Sequence, residues 1–369
     1  MKRLTYLLLV FIAMTSCSAI YEYEGDCDPK YRIEFKYDYN IKYADAFANE
    51  VKSVSLYAFD GNGRLVYQKT DQGPQLGNGD YAMEVDMEPG TYDLVAWCGL
   101  EDGSSFALPV MQRGLTSKSD VSCTIQGSKF GGQITVDQQL KPLFHGALNS
   151  VEFPDKEGVH TVIIPLVKNT NSVRIVLQHI SGKRVDPNLF TYHITADNGV
   201  LDWNNEIVPG NIVNYEAYYT ATGEEVLSKS DTLPNAGFTA VADLAVSRLM
   251  ANSDARLTIK NLKGKTVLSI PMVEFLLLVK SYYKQAMTNQ EYLDRQDDFY
   301  FLFFLQDKKP GGEGTDPGGT TDPDDPEDPD DPEDPEDPDD PEDPEDDYTW
   351  MDAYIYICSW KVVLSSTTL

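Results

Sequence analysis

The 369-residue sequence predicts an all-β fold, two tandem antiparallel β-sandwich domains with a minor helix. Three observations predict it. Apolar and polar residues alternate with period two over many short runs, the signature of strands with one wet face. Turn residues recur between those runs at the spacing of a sandwich. After the polar stretch Lys168-Asn169-Thr170-Asn171 a second series of strand-like runs begins. The chain divides accordingly into residues 1–16, a lipoprotein signal peptide; 17–30, an acidic tether; 31–168 and 169–308, two β-sandwich domains; 309–347, an acidic Pro-rich spacer; and 348–369, a terminal strand segment.

The signal peptide rests on order. Met1-Lys2-Arg3 is basic, Leu4 to Met14 is apolar, and Thr15-Ser16-Cys17 closes the run with small residues and a cysteine. That order marks an exported chain. The run is shorter than the ~20 residues of a spanning helix. Cleavage before Cys17 and acylation on it would tether the mature protein to a membrane surface. Met14 stands where lipoboxes carry Leu, and the alternative is an ordinary signal peptide with a stray cysteine. Glu22, Glu24, Asp26 and Asp28 then make the tether acidic.

The first domain opens with Tyr31, Ile33, Phe35, Tyr37 and Tyr39 alternating with Arg32, Glu34, Lys36 and Asp38. Val54–Phe59 and Leu65–Gln68 flank Asp60-Gly61-Asn62-Gly63, a tight hairpin. Tyr81, Met83, Val85 and Met87 alternate next, Pro89-Gly90 turns, and Tyr92, Leu94 and Ala96 begin the following strand. In the second domain Val173, Ile175 and Leu177 share a face. Further strands are predicted at Phe190–Thr195, Val241–Leu249, Leu257–Lys260, Thr266–Ile270 and Phe299–Leu305. Pro271 can open a helix over Met272–Lys284. Thr288 and Glu291 form a capping-box pair for a short helix ending at Arg295. Phe275, Leu276, Leu277 and Leu278 are expected to pack on a sheet.

The spacer accounts for most of the charge. Asp322 to Asp347 holds 26 residues, 8 proline and 18 Asp or Glu, so the formal −29 becomes −11 without it. Proline at every third place favours polyproline II, and like charges extend it to roughly 80 Å at ~3.1 Å per residue. A calcium role would rest on its carboxylates alone, since no EF-hand glycine pattern is present. Beyond the spacer, Tyr354, Tyr356, Cys358, Trp360, Val362 and Leu364 lie on one parity, with Ile355, Ile357 and Val363 on the other. Both faces are apolar, as in a strand buried on both sides. Such a strand could fold back as an edge of the second domain or complete the sheet of a neighbouring chain.

No chemistry-bearing constellation emerges. His145, His160, His179 and His193 are scattered, and none makes a metal-ligand pair. Gly264-Lys265-Thr266 sits between two strand-like runs, with Ile259 where a phosphate loop needs Gly, and reads as a hairpin turn. There is no G-x-S-x-G elbow. No catalytic residue, metal site or cofactor is expected, and the chain is read as a non-enzyme. No basic stripe is present to neutralise phosphates, which argues against nucleic acid. Setting Cys17 aside, Cys27, Cys98, Cys123 and Cys358 allow three pairings in an exported protein. Cys27–Cys98 is the favoured bridge, because both share the inward parity of a neighbouring strand; the alternative leaves both free and buried.

These residues resemble the fimbrial anchor lipoproteins of Bacteroidales, the FimB-type and minor-fimbria anchor family. The resemblance is carried by Arg32–Asn40 with Lys42-Tyr43-Ala44-Asp45-Ala46-Phe47, Val54–Asp60, and Pro89-Gly90-Thr91-Tyr92. In the second half it is carried by Lys168–Asn171, Ala242-Asp243-Leu244, Ile270-Pro271 and Gln290–Gln296. It implies two transthyretin-like sandwiches and a lipid anchor that places the protein on the outer membrane, exposed at the cell surface. It also implies a role in attaching and limiting a fimbrium, with a stalk subunit as protein partner and strand addition as the means of assembly. Stalk subunits of such fimbriae lose their first strand to an arginine-specific protease. From Ile33 to Gly63 this chain has no arginine, so its first strand is expected to stay. The acidic spacer departs from the compact ending the family implies. The alternative function is a surface lipoprotein or tip adhesin binding glycan or host protein; the 22 tyrosines favour it, although most fall in strand pattern and core packing accounts for them.

Overall fold

The computed structural model describes residues 28–130, 132–224, 238–280, 283, 286–307, 348–357 and 360–365, the last two segments as backbone. Cys17, Cys27, Cys358 and the acidic spacer lie outside the described residues. The fold is mostly β, in several sheets with few helices.

The first half supplies β1 (Lys30–Lys36), β2 (Ser53–Phe59), β3 (Leu65–Gln72), β4 (Met83–Val85) and β5 (Gly90–Cys98). The short strands β6 (Phe106–Ala107), β7 (Ser122–Ile125), β8 (Ser128–Phe130) and β9 (Gln133–Val136) follow. Then come β10 (Phe144–Phe153), β11 (Val159–Pro165) and β12 (Val167–Lys168). One sheet runs β11-β1-β4 and the facing sheet runs β12-β10-β5-β2-β3. The alternation of β1 is realised: Tyr31, Ile33 and Phe35 are buried while Lys30, Arg32, Glu34 and Lys36 are exposed. The strand ends at Lys36 rather than Tyr39, because the Asp45 carboxylate accepts the Tyr37 N–H at 3.0 Å and turns the chain out of the ladder.

The second half supplies β13 (Thr170–His179), β14 (Phe190–Asp197), β15 (Val200–Asp202), β16 (Ile212–Glu216), β17 (Tyr219–Glu224) and β18 (Phe238–Ser247). After these come β19 (Arg256–Asn261), β20 (Thr266–Pro271), β21 (Asp298–Asp307), β22 (Tyr348–Ile357) and β23 (Trp360–Ser365). Two six-stranded sheets run β17-β18-β13-β21-β22-β23 and β20-β19-β14-β16-β9-β8, and a small sheet runs β15-β7-β6. The strands are not all antiparallel: β1–β11, β13–β21 and β16–β9 pair in parallel. Residues 106–136 cross over, because β6 to β9 join the sheets of the second half. Helices Met272–Lys280 and Asn289–Arg295 link the second half together; the Thr288 hydroxyl caps the latter by accepting the Glu291 N–H at 3.0 Å. Gly264, at φ +79°, closes the β19–β20 hairpin, so Gly264-Lys265-Thr266 is a turn.

Strand β5 is buried on both faces. Leu94, Ala96 and Cys98 enter the first core, and Val95 and Trp97 enter the second. Gly99 at its end has φ +91°, and a Cβ there would run into the Pro142 carbonyl. Cys98 and Cys123 are free thiols, both buried, and burial pushes both thiols well above the ordinary cysteine value. The structure therefore holds no disulfide among the described residues; Cys27, the partner expected for Cys98, lies outside them.

Beside Trp97, at 4.5 Å between ring centroids, His145 is 4 % exposed and its Nε2 lies 2.9 Å from the Trp203 carbonyl oxygen. Burial pushes its pKa down from 6.5 to about 4. The unfolded chain takes up this proton near pH 6.5 and the folded chain only near 4, so stability is complete above 6.5 and falls as pH drops through that window. The loss expected is about 3 kcal/mol. Urea unfolding of His145→Gln should show a flatter pH dependence than the parent between pH 6.5 and 4; parallel curves would refute this.

Candidate functional site

The terminal segment forms two strands rather than the single strand expected. β22 pairs antiparallel with β21, from Tyr300 opposite Tyr356 to Asp307 opposite Tyr348. β23 pairs back onto β22, from Ile357 opposite Trp360 to Asp352 opposite Ser365. Only two residues separate the strands, the length of a tight hairpin. Of the six residues predicted for strand addition, Tyr354 and Tyr356 lie in β22, Trp360, Val362 and Leu364 lie in β23, and Cys358 lies outside the described residues. In this arrangement the segment extends the second sheet of its own chain, with β23 as the outermost strand.

The first strand is held from both sides. β1 takes β11 as a seven-residue parallel partner and β4 as a three-residue antiparallel one. Its wet face carries Arg32, which pairs with Glu84 at 3.2 Å.

The motifs that carried the family resemblance converge where the two halves meet. The loop after β1 is closed by its own polar side chains. Asn40 Nδ2 donates to the carbonyls of Tyr37 and Ala44, at 2.9 and 2.7 Å, and Asp45 accepts the N–H of Tyr37 and of Phe47. That loop grips the helix Asn289–Arg295. The Ile41 N–H donates to the Arg295 carbonyl at 2.9 Å. The Arg295 guanidinium lies 4.0 Å from the Tyr39 ring centroid and 4.4 Å from that of Tyr43, and donates to the carbonyls of Asp38 and Asn40. Glu291 accepts from its Nε at 2.9 Å.

One residue earlier on the helix, Asp294 makes a two-pronged ion pair with Arg248, both bonds 2.8 Å, and both side chains are under a tenth exposed. Gln290 ties the same helix to the backbone of Leu249 and Ala251. Lys168 bridges the halves, reaching Glu50 of the first at 2.9 Å and Asp297 of the second at 2.5 Å. Burial opposes its charge, but the two carboxylates outweigh that and hold its pKa above the ordinary lysine value. Asn169 and Asn205 exchange two amide hydrogen bonds in the buried seam, at 2.7 and 3.0 Å.

Beside this seam lies a cleft of about 980 Å³, lined from both halves. Arg174 and Asp243 form a two-pronged pair on its wall, at 2.7 and 2.8 Å, next to Tyr218 and Tyr300. Asp298, on the rim, has its pKa raised by burial and by Asp297. Sequence reading assigned no site here; the clustering joins residues more than 100 positions apart, and only the quoted motifs hinted at it. Elsewhere the four histidines stay apart: His145 lies against the Trp203 carbonyl, His160 against the Lys156 carbonyl, His179 against the Ser181 hydroxyl, and His193 lies 3.8 Å from Glu216. Among the described residues, no group of three or more His, Cys, Asp or Glu could hold a metal, and no helix is long and apolar enough to cross a membrane.

This architecture, a pair of joined β-sandwiches, is that of fimbrial and adhesin subunits of the Bacteroidales. The chain belongs to the family of fimbrillin-A associated anchor proteins Mfa1 and Mfa2, whose family model matches residues 23–366. Membership places it among structural proteins of the cell envelope that work with other fimbrial subunits. A solved structure from Bacteroides thetaiotaomicron, described as a candidate polysaccharide-binding protein, is similar at 28% identity, with a TM-score of 0.65 over 76% of this chain and 92% of that one. A candidate adhesin from the same organism is similar at 29% identity, with a TM-score of 0.65 over 77% and 93%. The fimbrial anchor protein Mfa2 from Porphyromonas gingivalis shares the fold, with a TM-score of 0.61 over 91% of this chain and 99% of that one at 15% identity. No curated protein matches significantly in sequence.

Arg295 is the test of the seam. A guanidinium stacked between rings and forked over carbonyls is not replaced by an ammonium. Arg295→Ala should cost about 2 kcal/mol in urea unfolding, and Arg295→Lys should recover less than half of it. Equal stability of all three proteins would show that the seam does not depend on this residue.

Proposed function

We propose that the protein is a lipid-tethered anchor that holds a fimbrium to the outer membrane and limits its length, engaging the stalk subunit through its terminal hairpin. Cys17 is the lipid attachment point in this reading. The supporting observation is a conflict between the two ends of the spacer. Asp307 stands opposite Tyr348 in the β21–β22 ladder, so residues 308–347 must begin and end at neighbouring positions. Their composition resists this. The Asp/Glu-Pro stretch 322–347 favours an extended chain of about 80 Å, with its charges repelling one another. Homefolding of the hairpin is therefore opposed by its own tether. Seating the hairpin on another subunit, or admitting that subunit's strand beside β21, makes the same kind of ladder without closing the loop.

The retained first strand fits the same role. An anchor that keeps β1 keeps the covalent path from its sandwiches to the lipid.

A second reading, a surface adhesin that takes up a glycan, is favoured by one observation: the candidate polysaccharide-binding relative is alike over three quarters of this chain.

Two changes test the anchor. Deleting residues 348–369 should release fimbriae into the medium while the protein stays with the cells. Replacing residues 308–347 by a short Asn-Gly turn should keep the fold, lock the hairpin at home and release fimbriae as well. Immunoblots of medium and cell fractions read both. Fimbriae that remain attached and of normal length in either strain would sink the reading, as would a mature protein carrying no acyl chain at Cys17.

A further inference from the structure

The cleft beside the seam has the features of a ligand site. Its volume, about 980 Å³, lies within the range of small-molecule pockets, and it sits between two packed units, where such pockets concentrate. Three of its wall residues stand side by side on the outer face of the second sheet. Tyr300 is opposite Arg174 in the β13–β21 register, and Arg174 is opposite Asp243 in the β13–β18 register. Tyr218 flanks them, its N–H donating to the Asp243 carbonyl at 3.0 Å. The wall thus combines aromatic rings with a planar guanidinium–carboxylate pair.

A second, independent observation points to an occupant. Gln296 lines the cleft and is 2 % exposed; its Nε2 donates to the Asp298 carbonyl, but its Oε1 accepts no hydrogen bond. A buried acceptor left without a donor is costly. A hydroxyl reaching the cleft floor would satisfy it.

The charges argue against an anionic ligand. Lining carboxylates outnumber lining cations five to three, which disfavours phosphate or sulfate. Arg174 and Lys168 are both committed to carboxylates, so most of the lining charge is paired within the wall, and a cationic peptide is left as the competing ligand for the experiment to separate. Rings, paired planar groups and a buried acceptor together suit a neutral molecule rich in hydroxyls, whose C–H faces lie on aromatic rings and whose adjacent hydroxyls bridge forked donors and acceptors. We propose that the cleft between the sandwiches binds a neutral oligosaccharide, with Tyr218 and Tyr300 against sugar faces and Arg174, Asp243 and Gln296 bonding hydroxyls. This rests on the adhesin reading and is independent of the anchor role.

Isothermal titration of the full mature protein with linear gluco-, xylo- and manno-oligosaccharides tests it, with oligolysine as the cationic control. At least one neutral oligosaccharide should bind at millimolar concentration or below. Tyr218→Ala should weaken that binding about tenfold or more while leaving the unfolding temperature unchanged, and Asp298→Asn, at the rim, should leave oligolysine unbound as in the parent. No binding of any neutral oligosaccharide at millimolar concentration overturns the proposal. So does binding that Tyr218→Ala leaves untouched, or preferential binding of oligolysine that Asp298→Asn abolishes. Cells carrying Tyr218→Ala should retain fimbriae normally. Fimbriae lost from those cells, with sugar binding absent in the parent protein, would assign the cleft to assembly and overturn the glycan site without touching the anchor reading.

Discussion

The pleat of one strand holds the two sandwiches together. A β-strand sends successive side chains to opposite faces, and in β5 both destinations are hydrophobic cores. Leu94, Ala96 and Cys98 fill one while Val95 and Trp97 fill the other. Neither core can be assembled without the same strand, so the halves are coupled through packing before any polar contact is considered. The crossing segment exists for this reason. The far face of the β5 sheet would be a wet apolar surface unless covered, and residues from 106 to 143, with Phe106, Val121, Ile125 and Leu143 buried, cover it. The same segment then supplies β9 as a parallel neighbour for β16.

Polar contacts refine what the shared strand begins. Burying charge at an internal seam is costly unless each group is paired, and here each is. Arg248 is matched by Asp294, Lys168 by Glu50 and Asp297, and Asn169 by Asn205. Orientation is set by the contacts that cross between the halves, the Lys168 bridge from Glu50 to Asp297 and the Arg295 guanidinium against Tyr39 and Tyr43, while the forked Arg248–Asp294 pair holds the helix to its own half. The seam therefore fixes how one sandwich faces the other, and with it the shape of the cleft.

Much of this was legible in the sequence, and the reasons differ by element. β1 was readable because one of its faces is wet, so the alternation survives in the text. The β19–β20 turn was readable because Gly264 supplies a backbone angle that few residues tolerate. β5 was readable only in part: with both faces buried its second half, Leu94 to Cys98, is continuously apolar, and period two disappears. The parallel pairing of β1 with β11 is a contact across more than 120 residues, and no local pattern encodes it. The terminal segment was misjudged in kind. Tyr354 to Leu364 keeps one parity in the text, whereas the ladder sets Tyr356 opposite Lys361 and Ile357 opposite Trp360, so the two-residue link swaps parity and the six residues do not share one face. The seam was visible only as motifs whose partners were unknown. Asn40, Arg295 and Lys168 carry no signal of their own until the fold brings them together.

Tether and hairpin bear on each other through loop closure. The entropic cost of closing a flexible loop rises slowly with length, so a neutral Gly-Ser linker of this size would leave the hairpin at home. A chain of Asp/Glu-Pro triplets behaves differently. Polyproline II is stiff over several residues, and like charges stiffen it further, so bringing Asp307 and Tyr348 together bends a chain that prefers its ends apart. The local concentration of the hairpin at its own sheet is lowered by the same amount. Salt reverses part of this, because screening shortens the repulsion to within ~10 Å at about 0.1 M. On the reading proposed above, a stalk-subunit strand admitted beside β21 would make a ladder of the same kind as β22 makes at home. On that reading the spacer would set the balance between a hairpin at home and an exchanged strand.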